Sequence, residues 1–284
     1  MPDQDFDRDA YLERIGLRSG YDPTLETLRA VISAHCAAIP FENIDVLLGR
    51  PPQLDLASLQ KKLVHEKRGG YCFEQNLLLR AALRALGFSA TGLIARVVRG
   101  GPADAPRVAC HMVVRVELPE GSFLVDAGFG NLTPTAPLAM RPTFEQETPH
   151  ELMRLQPVGS ELVLQAKIGD DWESQWRLCS HVPVDPDYEV ANWFTATHPQ
   201  SVFVNNMIVA RPGPRGERHT FLNGRVTVYR ADGTAERHQL ADDASIADAL
   251  RVRFGLALRA EDLRSALEVL ARNGRRGAEH PAFA

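Results

Sequence analysis

The chain changes its hydrophobic period near residue 90. Before that point apolar residues recur every three to four positions, as in Leu25, Leu28, Val31 and Ile32, then Leu56, Leu59 and Leu63, then Leu77, Leu78, Ala81, Leu83 and Leu86. That spacing buries one face of a helix. Asp22-Pro23 and Asp55 are read as helix starts, and Pro40, Gly69-Gly70 and Gly87 as stops. After residue 90 the period drops to two. Thr91–Val98, His111–Leu118, Ser122–Val125, Leu152–Pro157, Leu162–Lys167 and Trp172–Leu178 read as short strands, separated by turns at Pro119-Glu120-Gly121, Val158-Gly159-Ser160 and Gly169-Asp170-Asp171. A short helix around Tyr188–Trp193 follows. The C-terminal part mixes strands (Phe221–Tyr229, Glu236–Leu240) with helices after Ser245 and after Ala260-Glu261. Helices first, then antiparallel strands, then a mixed module, define an α+β chain and not a doubly wound sheet.

Composition narrows the function classes. With 32 basic and 36 acidic side chains the 284-residue chain carries a net charge of −4, which argues against a nucleic-acid partner, whose affinity needs clustered positive charge. Met1-Pro2-Asp3-Gln4-Asp5 is acidic and polar, unlike a secretory leader, and no apolar run is long enough to span a bilayer, so no membrane partner is expected. Cys36, Cys72, Cys110 and Cys179 are widely spaced, without a C-x-x-C pair. This predicts reduced thiols in a cytoplasmic protein and no structural metal.

Cys72 has the most informative surroundings. It follows Arg68-Gly69-Gly70-Tyr71 and opens an apolar helical run, so its sulfur would feel the positive end of a helix. The bland alternative is an inert buried thiol, which is the reading for Cys36, Cys110 and Cys179. A nucleophilic cysteine needs a base, and the base an orienting acceptor. In a hairpin centred between residues 119 and 120, His111 lies opposite position 128. Asp126 is then its diagonal neighbour on the same face. Alone, that pair could be a surface contact at the strand ends. Phe129 follows in a glycine-flanked loop, and Phe41 follows Pro40. Each could line a pocket or belong to the core.

These segments together resemble the arylamine N-acetyltransferase family. Arg68-Gly69-Gly70-Tyr71-Cys72-Phe73-Glu74 is similar to its active-cysteine motif. Pro40-Phe41-Glu42-Asn43, His111-Met112-Val113, Val125-Asp126-Ala127-Gly128-Phe129-Gly130, Asn192–Pro199 and Leu222-Asn223-Gly224-Arg225 are similar to further family segments in the same order. Ala127 and Gly224 depart from the usual valine and asparagine, away from the triad. The resemblance implies a helical bundle (1–90), an antiparallel β-barrel (91–203) and an α/β lid (204–284). It also implies a papain-like Cys72-His111-Asp126 triad and acetyl transfer from acetyl-coenzyme A, without a metal, to an arylamine, arylhydrazine or arylhydroxylamine. Phe41 and Phe129 would bind the amine, with Phe221 the candidate for a coenzyme A contact. An amide synthase using a long acyl thioester would share the triad. A binding protein with a relict site is the reading from another class. Glu42 and Arg68 flank the site and are expected to form a buried ion pair.

Overall fold

A computed structural model describes residues 5–18, 21–230 and 232–277. Met1–Gln4, where the acidic start was read, and residues 278–284 lie outside it.

Helix α1 (Arg8–Arg14) opens on Asp7, whose carboxylate accepts from the Ala10 amide at 3.0 Å. Helix α2 (Leu25–Ala38) is capped by Thr24, which accepts from the Thr27 amide at 3.2 Å, and not by Asp22-Pro23. Only a side-chain oxygen in the residue immediately before the first turn reaches its free amides, and Asp22 sits two positions too early. Strand β1 (Phe41–Glu42) and the short α3 (Ile44–Leu47) follow. Asp55 caps α4 (Leu56–Leu59), accepting from the Ser58 amide at 2.9 Å. The chain runs on as a π-helical turn, Gln60–His65, before α5 (Cys72–Ala85).

Next come β2 (Ser89–Val97), β3 (Ala109–Leu118), β4 (Gly121–Val125), β5 (Leu138–Ala139), β6 (Gln146–Glu147), β7 (Leu152–Val158), β8 (Glu161–Ile168) and β9 (Asp171–Leu178). They form an antiparallel sheet in the order β5-β4-β3-β2-β9-β8-β7-β6. The sheet curls until its two edges nearly meet. The Gln146 amide spans the remaining gap, accepting from Ala139 N at 2.7 Å and donating to Ala139 O at 2.9 Å. A side-chain amide thus stands in for a strand at the seam, where an open edge would otherwise leave peptide groups unpaired.

The chain continues through α6 (Asp185–Thr197), α7 (Val202–Asn205), β10 (Ile208–Pro212), β11 (Arg218–Leu222), β12 (Arg225–Tyr229), β13 (Ala235–Gln239), α8 (Asp243–Val252) and α9 (Ala260–Arg272). Here the sequence reading needs two corrections. Phe221–Tyr229 is not one strand, because Asn223 (φ 53°) and Gly224 (φ 104°) make a tight left-handed turn between β11 and β12. Helix α8 begins before Ser245, at Asp243, and is capped by Asp242, whose carboxylate accepts from the Ser245 amide at 2.8 Å. The second sheet runs β1-β10-β11-β12-β13, so the Phe41–Glu42 strand ties the helical part to the C-terminal one.

Three cores result. One fills the space between α1, α2, α5, α6 and the outer face of β2–β4; a second lies between the five-stranded sheet and α8 and α9; the third fills the barrel around Trp176. Strand alternation divides β3 between two of them: Met112 and Val114 face the helices, and Val113 faces the barrel interior. No helix of the described residues is long and apolar enough to cross a membrane.

One buried polar chain crosses the helical core. His35, fully buried, receives a hydrogen bond at Nδ1 from Tyr11 Oη (2.8 Å) and donates from Nε2 to Gln75 Oε1 (2.8 Å). The Gln75 amide nitrogen donates onward to Pro40 O at 2.9 Å, which fixes its oxygen toward His35. Burial is the largest influence on His35 and holds its pKa down to about 4, from an ordinary 6.5. The unfolded chain takes up this proton as the pH falls below 6.5, whereas the folded chain does so only near 4. Stability is therefore complete above 6.5 and falls through that window, by about 3 kcal/mol in all. Denaturant midpoints measured from pH 7 to pH 4 should show the fall, and His35→Gln should flatten it. An equally steep profile in the variant would assign the loss to other groups.

Candidate active site

The site is assembled where the Arg68–Tyr71 loop enters α5. Gly70 N donates to Pro40 O (3.3 Å) and Gly70 O accepts from Glu42 N (3.1 Å), so the loop lies flat on β1. Gly69 permits that approach, since a Cβ there would sit 2.1 Å from Pro40 O. Arg68 reaches back to Glu42 through Nε (2.9 Å) and Nη2 (2.7 Å), and to Asp45 at 3.2 Å. The expected ion pair is thus present, and Glu42 is wholly inaccessible. Lys62 extends it with 2.7 Å contacts to Asp45 and Glu74. Glu74 also accepts from the Tyr71 amide at 3.0 Å, closing the helix start from the third position. Cys72 is the first residue of α5 and is buried.

His111 and Asp126 meet as the hairpin reading requires. The observed pairs Val114↔Val125 and Leu118↔Gly121 centre the hairpin between residues 119 and 120. His111 shares the inward face of Val113, and its ring centroid lies 6.1 Å from that of Trp176. Its Nε2 donates to Asp126 Oδ2 at 2.7 Å, both side chains being almost fully buried. Nδ1 is thereby left as the basic nitrogen. Asp126 Oδ1 accepts from Asn76 Nδ2 (2.9 Å) and from the Gly128 amide (2.8 Å).

Asn76 is a site residue that the sequence reading missed. It lies four positions after Cys72, one turn along the same helix face. Besides holding Asp126 it donates to Met112 O (2.7 Å) and accepts from Ala127 N (3.0 Å). A fully buried asparagine thus locks the cysteine helix to both strands of the hairpin. A polar residue on the inward face of an apolar helix was the available signal.

Gly128 shows how tightly these parts fit. A Cβ there would lie 2.5 Å from Cys72 Cα and 3.0 Å from Cys72 O. Since the obstacle is backbone, nothing can swing aside, and Gly128→Ala must push the hairpin loop off the start of α5. We expect the variant to lose most turnover and to melt earlier, with overpacking costing about 1–3 kcal/mol. Wild-type kcat with an unchanged Tm would show that this approach is not needed.

Cys72 and His111 line a cavity of 340 Å³ together with Phe41, Phe129, Phe194 and Phe203. Phe129 stands edge-on to His111, centroids 5.1 Å apart at 72°. Phe41 and Phe129 therefore occupy the expected wall, while Phe194 and Phe203, from α6 and α7, went unrecognised as lining residues. Cys110, read as inert, also lines the cavity, its thiol pushed up to about 11 by burial. Cys36 stays in the helical core, its thiol pushed up to about 12 by burial. Phe221 does not serve as the candidate coenzyme A contact through its ring. The side chain is fully buried in the second core, against Phe254, because its position on β11 turns it toward α8 and α9. Burial also raises the Cys72 thiol well above its ordinary range, with Cys110 adding to the effect; the Met112 and Phe73 amides oppose it. An isolated thiolate would be costly here, whereas a thiolate beside a protonated imidazole is a neutral pair.

Comparison with known proteins agrees with this geometry. A family model described as N-acetyltransferase matches residues 24–263. The arylamine N-acetyltransferase of Mycobacterium tuberculosis is 40% identical over 267 residues, covering 92% of this chain and 93% of that one. The Salmonella typhimurium arylamine N-acetyltransferase / N-hydroxyarylamine O-acetyltransferase is 37% identical over 249 residues, 88% of each chain. The structure of Mycobacterium marinum arylamine N-acetyltransferase in complex with CoA superposes with a TM-score of 0.87 at 38% identity, covering 95% of this chain and 99% of that chain. A cysteine at a helix start, a carboxylate-anchored histidine and relatives matched nearly end to end lead to one assignment: the chain belongs to the arylamine N-acetyltransferase family.

Proposed function

We propose that this chain transfers an acetyl group from acetyl-coenzyme A to the nitrogen of an arylamine, arylhydrazine or arylhydroxylamine, by double displacement through Cys72. The observation that carries the reading is the 2.7 Å bond from His111 Nε2 to Asp126, made on the wall of the cavity that also holds Cys72. With Nε2 committed as a donor, Nδ1 is free to take the thiol proton. The thiolate sulfur attacks the thioester carbonyl, and the carbon–sulfur bond to coenzyme A breaks. The departing thiolate takes the proton back from His111. The amine nitrogen then attacks the acetyl carbonyl, His111 removes a proton from it, and Cys72 leaves as thiolate. In this reading amides of the first turn of α5 stabilise the oxyanion in both halves. The aromatic walls suit a flat acceptor, and 340 Å³ is near the small end of ligand cavities, which favours acetyl over a long acyl chain.

Initial velocities at varied acetyl-coenzyme A and arylamine concentrations test the scheme. Double displacement gives parallel lines in double-reciprocal plots. Intersecting lines would mean that both substrates are bound at once, and the covalent route would be abandoned.

A further inference from the structure

The cavity wall carries one permanent charge. Arg99 is the only Asp, Glu, Lys or Arg side chain among the described residues that line the space around Cys72, and it also lines the adjoining 610 Å³ cleft. It is the lining residue that the two spaces share, so its side chain lies between them. Its backbone is fixed: the Val98 and Arg99 amides both donate to the carbonyl of fully buried Gln175, at 3.0 and 3.1 Å. Its guanidinium, half-buried, donates no hydrogen bond and joins no ion pair among the described residues. Exposed Glu173 and half-buried Tyr229, on the outer side, act on it only at a distance. The other arginines around the site are committed, Arg68 to Glu42 and Asp45, and Arg218 to Glu151 and Thr133 O.

A fixed, partly desolvated and unpaired guanidinium is a poor use of charge for stability. It is a ready fork for a carboxylate. We propose that Arg99 is a specificity-determining residue that selects acceptors carrying a carboxylate on the ring, at the end away from the amine. The inference rests on the double-displacement reading. In that scheme coenzyme A has left before the amine enters, so the acceptor has the whole cavity, mouth included. With its nitrogen at Cys72 and its ring between Phe41 and Phe129, an aryl acid directs its carboxylate outward. Among the described residues the inner lining holds no acidic side chain to repel it; Glu151, Asp170, Glu173 and Asp232 line only the outer cleft beyond Arg99. The coenzyme A phosphates are a second source of anionic groups, but the pantetheine arm carries them away from the thioester.

The test compares 4-aminobenzoate and 3-aminobenzoate with the corresponding aminobenzamides, which match them in shape without the charge. Wild type, Arg99→Gln and Arg99→Lys are assayed, with melting curves for each. The ratio of kcat/KM for acid over amide should fall roughly 10- to 100-fold in Arg99→Gln, carried mainly by KM for the acid. Arg99→Lys should recover part of it, as a point charge replaces a fork. Separately, the rate of Cys72 acetylation by acetyl-coenzyme A is followed by mass. An unchanged acid-to-amide ratio would overturn the proposal, and a raised KM for acetyl-coenzyme A alongside it would reassign Arg99 to the coenzyme A phosphates. Wild-type enzyme that never acetylates Cys72 would instead overturn the underlying function, a failure visible before any amine is added.

Discussion

An Asp126→Asn variant should fold normally and acetylate Cys72 about 10⁴-fold more slowly than wild type. Asp126 accepts three hydrogen bonds: Asn76 and Gly128 donate to one oxygen, His111 to the other. An asparagine can keep the first two only by turning its oxygen to them, so its NH₂ faces His111 Nε2. That nitrogen must then become an acceptor, and the ring proton moves to Nδ1, where the thiol proton should go. The geometry survives while the tautomer is wrong. Single-turnover acetylation measured by quenched mass spectrometry checks this, with circular dichroism to establish folding. A rate within tenfold of wild type would show that Asp126 does not set the histidine's tautomer.

Arg68→Gln should cost about 3–5 kcal/mol of stability, because it strands Glu42 with no exposed surface and, among the described residues, only the Ile44 amide at 2.7 Å as a remaining hydrogen-bond donor. For a chain of this size that is a fall in Tm of roughly 5–8 °C. The reason lies in the charge balance of the cluster: three carboxylates, Glu42, Asp45 and Glu74, share Arg68 and Lys62. Losing one cation leaves Lys62 alone among them. Glu42→Gln with Arg68→Gln should be less damaging than Arg68→Gln by itself, since the double variant buries no unpaired carboxylate. Solvated surface charges would be worth no more than about 1 kcal/mol, so a variant melting with wild type would place the pair in water. The expected consequence for activity follows from position, because Arg68 begins the loop that delivers Cys72 to the start of α5.

The proposed triad could be read because each member sits beside a local signal: paired glycines before Cys72, a short turn between His111 and Asp126, and glycines after Asp126. The hairpin register could be read from the turn alone, since a one-residue slip would have turned Val113 and Leu124 out of the barrel. What stayed hidden was held by contacts distant in sequence. Asn76 earns its place by bonds to Met112, Asp126 and Ala127, 36 to 51 residues away. Phe194 and Phe203 reach the cavity on elements held by partners far off in sequence: Tyr71 donates to Asn192 on α6, and Asn43 donates to Phe203 O on α7. Gln146 closes the barrel seam by a side-chain bond that no strand pattern encodes. Phe221 failed for the opposite reason. It directly precedes the family-like Leu222–Arg225 segment, but its place on β11 points the ring into the core.

The central claim is that one acetyl group rests on Cys72 between the two half-reactions. Incubating the protein with acetyl-coenzyme A alone, then digesting and weighing the peptides, tests it without any choice of amine. The peptide containing Cys72 should gain one acetyl mass, Cys36, Cys110 and Cys179 should gain none, and a later addition of arylamine should remove it. Cys72→Ala should remain unmodified throughout. Turnover of an arylamine by a protein whose Cys72 never carries acetyl would contradict the account, because transfer would then be direct and the triad would have no covalent role.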